Sequence, residues 1–215
     1  MNVLRISART VAIACIVSLG VGVLEAVAQP QPVTVVIVRH PESSPAPPTF
    51  PLTPVGRQRA ELLIQTFRDI KFTHVFASHT SRARQTAEPV AAIRKLQIEQ
   101  LPAPGSLLDG QSVTDSTARQ AAIGPIADGV LRLQAGSVVL VAANSDNIYG
   151  ILNRLGVPVD QKCAVGAMCV PCVTNACFPG ADFDRLRYLV IEPGRAKPIV
   201  MIETRYGVGW TPAAP

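Results

Sequence analysis

Two short runs of apolar residues constrain the fold of this chain more than any other feature of its sequence. Residues 33–38 read V-T-V-V-I-V, and residues 137–142 read S-V-V-L-V-A. Runs this short and this rich in β-branched residues are typical of strands that are covered on both faces, as in a parallel sheet. Further strands are predicted at residues 74–77, near Ile98, and at residues 186–191 and 199–204.

Segments with helical periodicity alternate with these strands. Thr53 and Pro54 supply an N-cap and a first-turn proline, which predicts a helix over residues 54–69. Further helices are predicted at residues 80–95, 117–134 and 146–155. Strands that alternate with helices predict an α/β fold, here a three-layer α/β/α sandwich with a mainly parallel central sheet.

The N-terminal residues 1–28 have the pattern of a secretory signal peptide. Arg5 and Arg9 precede an apolar run over residues 11–24, and Ala26-Val27-Ala28 is a small-x-small cleavage site. The apolar run is shorter than the roughly 20 residues that a membrane span needs. We therefore expect an exported protein, periplasmic or secreted, whose mature domain covers residues 29–215 and has no membrane contact after cleavage.

The composition excludes several classes of protein. Hydrophobic residues make up 48% of the chain and charged residues 16%, which is typical of a folded domain rather than a disordered chain. The 20 basic and 15 acidic residues give a net charge of +5, without a run of Lys or Arg and with only 5% aromatic residues. This pattern does not indicate a nucleic-acid partner, whereas a mild positive excess suits a small anion.

Three polar segments follow the predicted strands and carry the candidate chemistry. Arg39 and His40 follow the first strand, the segment 78–87 with Arg82 follows the second, and Asn144 follows the strand at 137–142. The carboxyl ends of parallel strands form the usual ligand-binding edge of such sheets. The guanidinium groups of Arg39 and Arg82 match phosphate oxygens, and a neutral His40 amid them could attack phosphorus.

Five sequence blocks resemble the histidine phosphatase superfamily (phosphoglycerate mutase-like), including its exported bacterial members. The blocks are V-I-V-R-H-P-E, P-L-T-P-V-G-R-Q-R-A, F-A-S-H-T-S-R-A-R-Q-T-A, D-F-D-R-L-R-Y-L-V-I and T-R-Y-G. The resemblance implies a phosphohistidine intermediate on His40, with Arg39 and Arg82 as phosphate-binding residues. It also implies a phosphorylated small molecule or phosphate anion as ligand, and neither a cofactor nor a metal ion.

The sequence departs from the family pattern at two positions. Asn144, in V-A-A-N-S-D-N, stands where the family has a second pocket histidine that hydrogen-bonds the transferring phosphoryl group. Asparagine can still bind phosphate through a neutral hydrogen bond, but it brings no positive charge, so activity is expected to be weakened. Pro41 replaces the usual Gly or Ala and removes one backbone N–H group.

The family also implies a carboxylic acid that protonates the leaving group. Asp109, in L-L-D-G at residues 107–110, is the favoured candidate, and Glu42 and Asp146 are alternatives. The remaining histidines, His74 and His79, are interpreted as structural or solvated.

A cysteine-rich insert is predicted at about residues 160–180. Cys163, Cys169, Cys172 and Cys177 have the spacing C-x5-C-x2-C-x4-C. Export and an even number of cysteines favour two disulfides of undetermined pairing, and a tetrahedral zinc site is the alternative.

The leading functional hypothesis is an exported enzyme that hydrolyses phosphate monoesters through His40. The alternative is a catalytically impaired family member that binds a phosphorylated ligand or partner. A third hypothesis is an envelope interaction protein that acts through its cysteine-rich insert. The sequence does not determine the substrate or the oligomeric state.

Overall fold

The computed structural model describes residues 31–46, 49–103, 121–157, 183–192, 198 and 200–207. The strands are β1 (Val33–Arg39), β2 (His74–Ser78), β3 (Ile98–Leu101), β4 (Val138–Ala143), β5 (Arg185–Ile191) and β6 (Val200–Arg205). The helices are α1 (Pro54–Thr66), α2 (Ser81–Arg94), α3 (Ile123–Leu131) and α4 (Ser145–Arg154).

The six strands form one sheet in the order β3-β2-β4-β1-β5-β6. Strands β3, β2, β4 and β1 pair in parallel, and β5 pairs antiparallel with both β1 and β6. Five of the six strands therefore run in the same direction, since β6 is reversed relative to a strand that is itself reversed. The predicted mainly parallel sheet is confirmed.

Side chains on the two faces of the sheet pack against different helices. Val35 and Ile37 of β1 belong to a cluster with residues of α3 and α4, whereas Val36 and Val38 pack with residues of α1 and α2. This alternation is the two-residue period of a strand, and it accounts for the nearly continuous apolar run because both faces are covered. The three-layer α/β/α arrangement expected from the sequence is confirmed.

The predicted elements differ from the observed ones mainly at their ends. Helix α1 ends at Thr66 rather than at residue 69, and α3 begins at Ile123, inside the predicted range 117–134. The signal peptide, Asp109 and the four cysteines of the insert lie outside the described residues. Among the helices that are described, none combines the length and the apolar character needed to cross a bilayer.

The segment between β1 and α1 is held by contacts with Glu42. The Thr53 side chain caps α1 by accepting a hydrogen bond from the Gly56 N–H group at 3.0 Å, as the sequence predicts. The Glu42 carbonyl accepts hydrogen bonds from the Thr53 backbone N–H at 2.9 Å and from its hydroxyl at 3.2 Å. A Cβ atom on Gly56 would lie 2.1 Å from this carbonyl oxygen, so only glycine fits there.

Candidate active site

The candidate residues lie at the carboxyl ends of three neighbouring strands. Arg39 is the last residue of β1 and His40 follows it, Asn144 follows β4, and Arg82 lies in the first turn of the helix after β2. The His40 backbone N–H donates to the Ala143 carbonyl at 3.0 Å, which extends the β1–β4 pairing to the site. The structure thus brings Arg39, His40, Arg82 and Asn144 to one edge of the sheet.

The imidazole of His40 is oriented by hydrogen bonds on both ring nitrogens. Its Nδ1 atom lies 2.7 Å from the Pro41 carbonyl oxygen, and Arg82 Nε lies 3.3 Å from Nε2. A carbonyl oxygen can only accept, so Nδ1 carries the proton and donates it to Pro41. Nε2 then holds the ring's lone pair and accepts from Arg82. This is the atom that could act as a nucleophile.

His40 is held in the neutral form. The residue is buried, with 7% of its surface exposed. Burial lowers the pKa of His40 well below its usual value, and the charges of Arg82 and Arg39 lower it further, against a smaller raising effect of the bond to Pro41. Because the lone pair on Nε2 exists only in the neutral ring, this environment keeps His40 nucleophilic at neutral pH.

The two arginines, Arg39 and Arg82, lie in different structural surroundings. Arg82 is 9% exposed and lies near the N-terminus of α2, where backbone N–H groups also favour an anion. The Thr86 hydroxyl donates to the Arg82 carbonyl at 2.7 Å. Arg39 is 4% exposed, and its guanidinium carbon lies 4.5 Å from the centroid of the Phe183 ring.

Asn144 lies at the same edge of the sheet, and a hydrogen bond orients its side-chain amide. It is 2% exposed, and its Oδ1 atom accepts a hydrogen bond from the Thr80 hydroxyl at 3.0 Å. Its Nδ2 group has no hydrogen-bond partner among the described residues. A buried amide group without a partner is costly, so this donor is suited to a ligand oxygen.

The candidate acids fall into different environments. Glu42 forms an ion pair with Arg59, whose Nη2 and Nε atoms lie 2.6 Å and 3.0 Å from its carboxylate oxygens. This ion pair connects the loop after β1 to α1 and gives the Glu42 carboxylate a structural role. Asp146 is partly buried in the first turn of α4 and stays a candidate.

The remaining histidines differ in their surroundings. His79 is 6% exposed, so it is a buried residue of the loop after β2 rather than a solvated one. His74 is paired through Nδ1 with the Thr73 hydroxyl at 2.8 Å. The contact of His74 with Thr73 does not include a residue of the candidate site.

Three contributors to the site's architecture were not predicted from the sequence. Thr80 caps α2 through a 3.4 Å bond from the Ala83 N–H group and also orients Asn144. Gln85 accepts a 2.7 Å hydrogen bond from the Leu52 N–H group and so ties α2 to the loop before α1. Phe183 contacts Arg39. A threonine before a helical segment is a recognisable cap, but its contact with Asn144 bridges 64 positions of sequence.

No group of three or more His, Cys, Asp or Glu side chains in the described part of the chain could hold a metal ion. The candidate site combines two arginines, a neutral histidine and an amide. This donor set binds oxyanions and repels metal cations.

A comparison with protein-family models finds a similarity in the segment that contains most of β1 and all of α1, β2, α2 and β3. Residues 35–103 match the model of the histidine phosphatase superfamily, branch 1. Over these residues the chain is similar to the histidine phosphatase superfamily. The match includes the segments that carry Arg39, His40 and Arg82, and it ends before Asn144.

Solved structures of histidine phosphatases and related enzymes share the fold. A mycobacterial glucosyl-3-phosphoglycerate phosphatase is 13% identical with a TM-score of 0.54, covering 82% of this chain and 99% of its own. The protein histidine phosphatase SixA complexed with tungstate is 16% identical with a TM-score of 0.53, covering 80% and 96%. A phosphoserine phosphatase from Entamoeba histolytica, in complex with 3-phosphoglyceric acid, is 15% identical with a TM-score of 0.50, covering 81% and 96%.

These identities establish a common fold and leave the substrate open. No curated protein sequence matches the chain significantly. The superfamily and its structural neighbours support a function of the phosphatase type.

Proposed function

We propose that this protein hydrolyses phosphate monoesters through a phosphohistidine intermediate on His40. The observation that carries the proposal is the buried, neutral His40 imidazole, with Nδ1 bound to Pro41 and Nε2 facing Arg82. This arrangement holds a nucleophilic nitrogen beside the two cations that would bind the phosphoryl group.

In the proposed reaction the phosphate ester displaces the contact between Arg82 and Nε2. Arg82 and Arg39 then donate to the phosphoryl oxygens, and Nε2 attacks phosphorus as the bond to the ester oxygen breaks. Asp109, the acid favoured by the sequence, protonates the leaving oxygen to give an alcohol. A water molecule then attacks the phosphorus of the phosphohistidine and gives a proton to the Asp109 carboxylate as the P–N bond breaks. This step releases inorganic phosphate and regenerates neutral His40 and protonated Asp109.

Asn144 supports a second candidate function, the binding of a phosphorylated ligand without efficient turnover. Its amide can donate to a phosphoryl oxygen but cannot add the charge that a protonated histidine would supply. Loss of one preorganised donor costs on the order of 10²–10³ in rate in well-studied enzymes. Both candidate functions use the same anion site and differ in the rate of the chemical step.

Hydrolysis of p-nitrophenyl phosphate by the mature protein tests the enzyme proposal. We expect measurable turnover that falls to the uncatalysed rate in His40→Ala and decreases strongly in Arg82→Ala. Turnover that persists in purified His40→Ala would overturn the phosphohistidine route.

Tungstate and phosphate serve as probes of the anion site, following the SixA structure that contains tungstate. A ligand that binds only the native state raises the melting temperature. We expect millimolar tungstate to raise it in the parent protein and not in Arg82→Ala. Stabilisation of this kind without turnover would favour the binding function.

We also propose that the protein is exported after removal of residues 1–28. The support is the signal-peptide pattern with the Ala26-Val27-Ala28 site. Mass spectrometry of the protein from the envelope or medium should give an N-terminus at Gln29. An uncleaved chain recovered from the cytosol would contradict export.

A further inference from the structure

Two aromatic residues, Phe183 and Tyr206, connect the β6 edge of the sheet to Arg39. Phe183 lies two residues before β5, and its ring centroid is 4.5 Å from the guanidinium carbon of Arg39. Tyr206 directly follows β6, and its hydroxyl donates to the Phe183 carbonyl at 3.0 Å. The Tyr206 backbone N–H donates to the next carbonyl, that of Asp184, also at 3.0 Å.

Tyr206 is well anchored for this role. It is 3% exposed and packs in the core cluster that contains Val36, Val38 and Leu63. Burial raises the pKa of Tyr206 far above its usual value, so its hydroxyl stays protonated and remains a donor. An ion pair between Arg205 and Asp184 holds the same two chain segments together.

Contact with an aromatic ring restricts the orientation of a guanidinium group and leaves its N–H groups available for a ligand. An arginine side chain has several rotatable bonds, and fixing them costs free energy unless contacts hold the group in place. A ring packed against the guanidinium face attracts its charge, while the N–H groups point outward in the plane of the guanidinium. Phe183 can thus fix the direction of Arg39 without occupying the edge that would meet phosphate.

We propose that Tyr206 is a positioning residue that acts through Phe183 to hold Arg39 at the phosphate site. The inference rests on the proposed function in one respect, namely that Arg39 binds the phosphoryl group. Tyr206 itself contacts neither His40 nor Arg82 in this arrangement. Its effect is transmitted by the hydrogen bond from its hydroxyl to the Phe183 carbonyl and by the contact of the Phe183 ring with Arg39.

Tungstate affinity, measured by isothermal titration calorimetry on the mature protein, gives the first test. Tyr206→Phe, which removes only the hydroxyl, should weaken binding about 2- to 10-fold. Phe183→Leu should weaken it about 2- to 30-fold, and Phe183→Tyr, which keeps the ring, should bind like the parent. Tyr188→Phe is the matched control, because Tyr188 is a partly buried tyrosine beside the same core cluster, and its affinity should be unchanged.

The pKa of His40, followed by NMR of the imidazole, gives a second readout that needs no ligand. The Arg39 charge contributes to the low pKa of His40. If Arg39 moves away in Tyr206→Phe and Phe183→Leu, the pKa of His40 should rise in both, and it should stay at the parent value in Tyr188→Phe and Phe183→Tyr. A purely structural role for Tyr206 would lower the melting temperature without moving this pKa.

The two readouts separate the inference from the proposed function. If the parent binds no tungstate, the anion site is wrong, and the His40 pKa alone decides whether Tyr206 and Phe183 position Arg39. An unchanged pKa in both variants overturns the inference, even if the enzyme is active. If Tyr206→Phe does not fold, the comparison of Phe183→Leu with Phe183→Tyr gives the same decision, since loss in the first and retention in the second supports positioning.

Discussion

His40 is a histidine that the fold keeps neutral by burying it between two arginines. In the unfolded chain it would bind a proton near its usual pKa of about 6.5. Since the folded-state pKa is lowered, the unfolded state binds more protons below this pH, and the stability of the fold decreases as the pH falls from about 6.5.

We therefore predict that replacing His40 removes the part of the pH dependence of stability that comes from protonation of His40 in the unfolded chain. The free energy of unfolding of the parent should fall, relative to that of His40→Gln, by up to about 1.4 kcal/mol per pH unit below pH 6.5. Urea denaturation of both proteins between about pH 5 and 7.5 measures the difference. Because His74 and His79 are present in both chains, their contributions cancel, and parallel curves would show that His40 accepts a proton in the folded state.

Asn144 is the second residue whose identity sets the chemistry. If it occupies the place of the family's second pocket histidine, Asn144→His restores a donor that can carry charge in the transition state. One such donor is worth roughly 2.7–4 kcal/mol, so hydrolysis of p-nitrophenyl phosphate should rise by about 10- to 1000-fold. The gain should appear mainly in kcat, because it arises in the transition state.

The double variant His40→Ala with Asn144→His is the control, and it should show no gain. If Asn144→His leaves turnover unchanged while His40→Ala abolishes it, the amide of Asn144 does not contact the transferring group. Asn144→Ala should weaken phosphate binding, because it removes the Nδ2 donor.

The junction between the loop after β1 and helix α1 depends on one glycine. A Cβ atom on Gly56 would lie 2.1 Å from the Glu42 carbonyl oxygen, and a backbone atom cannot rotate away. We predict that Gly56→Ala destabilises the fold by roughly 1–3 kcal/mol. For a domain of this size the melting temperature should fall by roughly 2–12 °C.

Gly124 in α3 is the matched control for this helix substitution. A Cβ atom there would meet nothing within 4 Å, so Gly124→Ala should be neutral or slightly stabilising. Equal melting temperatures for the two variants would mean that α1 shifts at little cost. The loop that carries Pro41 and Glu42 would then be less rigid than its hydrogen bonds indicate.

The elements themselves were largely predictable from the sequence, because their signals are local. The β-branched run at 33–38 and the Thr53-Pro54 cap identify β1 and the start of α1 without reference to the rest of the chain. Helix ends were less predictable, since α1 stops at Thr66 although apolar spacing continues to Phe67 and Ile70. Phe67 is the C-cap residue of α1, and its side chain packs in the core.

The meeting of Arg39, His40, Arg82 and Asn144 was predictable because parallel strands present their carboxyl ends at one edge. Their individual contacts were not predictable, since the partner of Asn144 is Thr80 and that of Arg39 is Phe183. The members of each pair are distant in sequence, and no sequence pattern indicates that they are in contact. The ion pair of Glu42 with Arg59 was likewise not predictable from the sequence.

For the whole molecule, the oxidation state of the insert is the most direct test of the expected export. We predict two intrachain disulfides among Cys163, Cys169, Cys172 and Cys177 in protein prepared from the envelope fraction. Thiol counting under denaturing conditions should find none of these four cysteines free, and reduction should lower the melting temperature. Four free thiols, or one equivalent of tightly bound zinc, would contradict the disulfides.

The position of the candidate site within the sheet determines which opening motions of the domain disrupt it. Strands β1, β2 and β4 are each hydrogen-bonded on both sides, whereas all six residues of β6 are exposed and lie at the edge of the sheet. Amide hydrogens at the ends of β1 and β4 should therefore exchange only when the domain opens as a unit, while those of β6 exchange through local fraying. Tyr206 is itself buried but directly follows the strand that frays, whereas His40 directly follows a protected strand. Warming should accordingly release Arg39 and weaken anion binding at temperatures where the nucleophile and its strand are still in place.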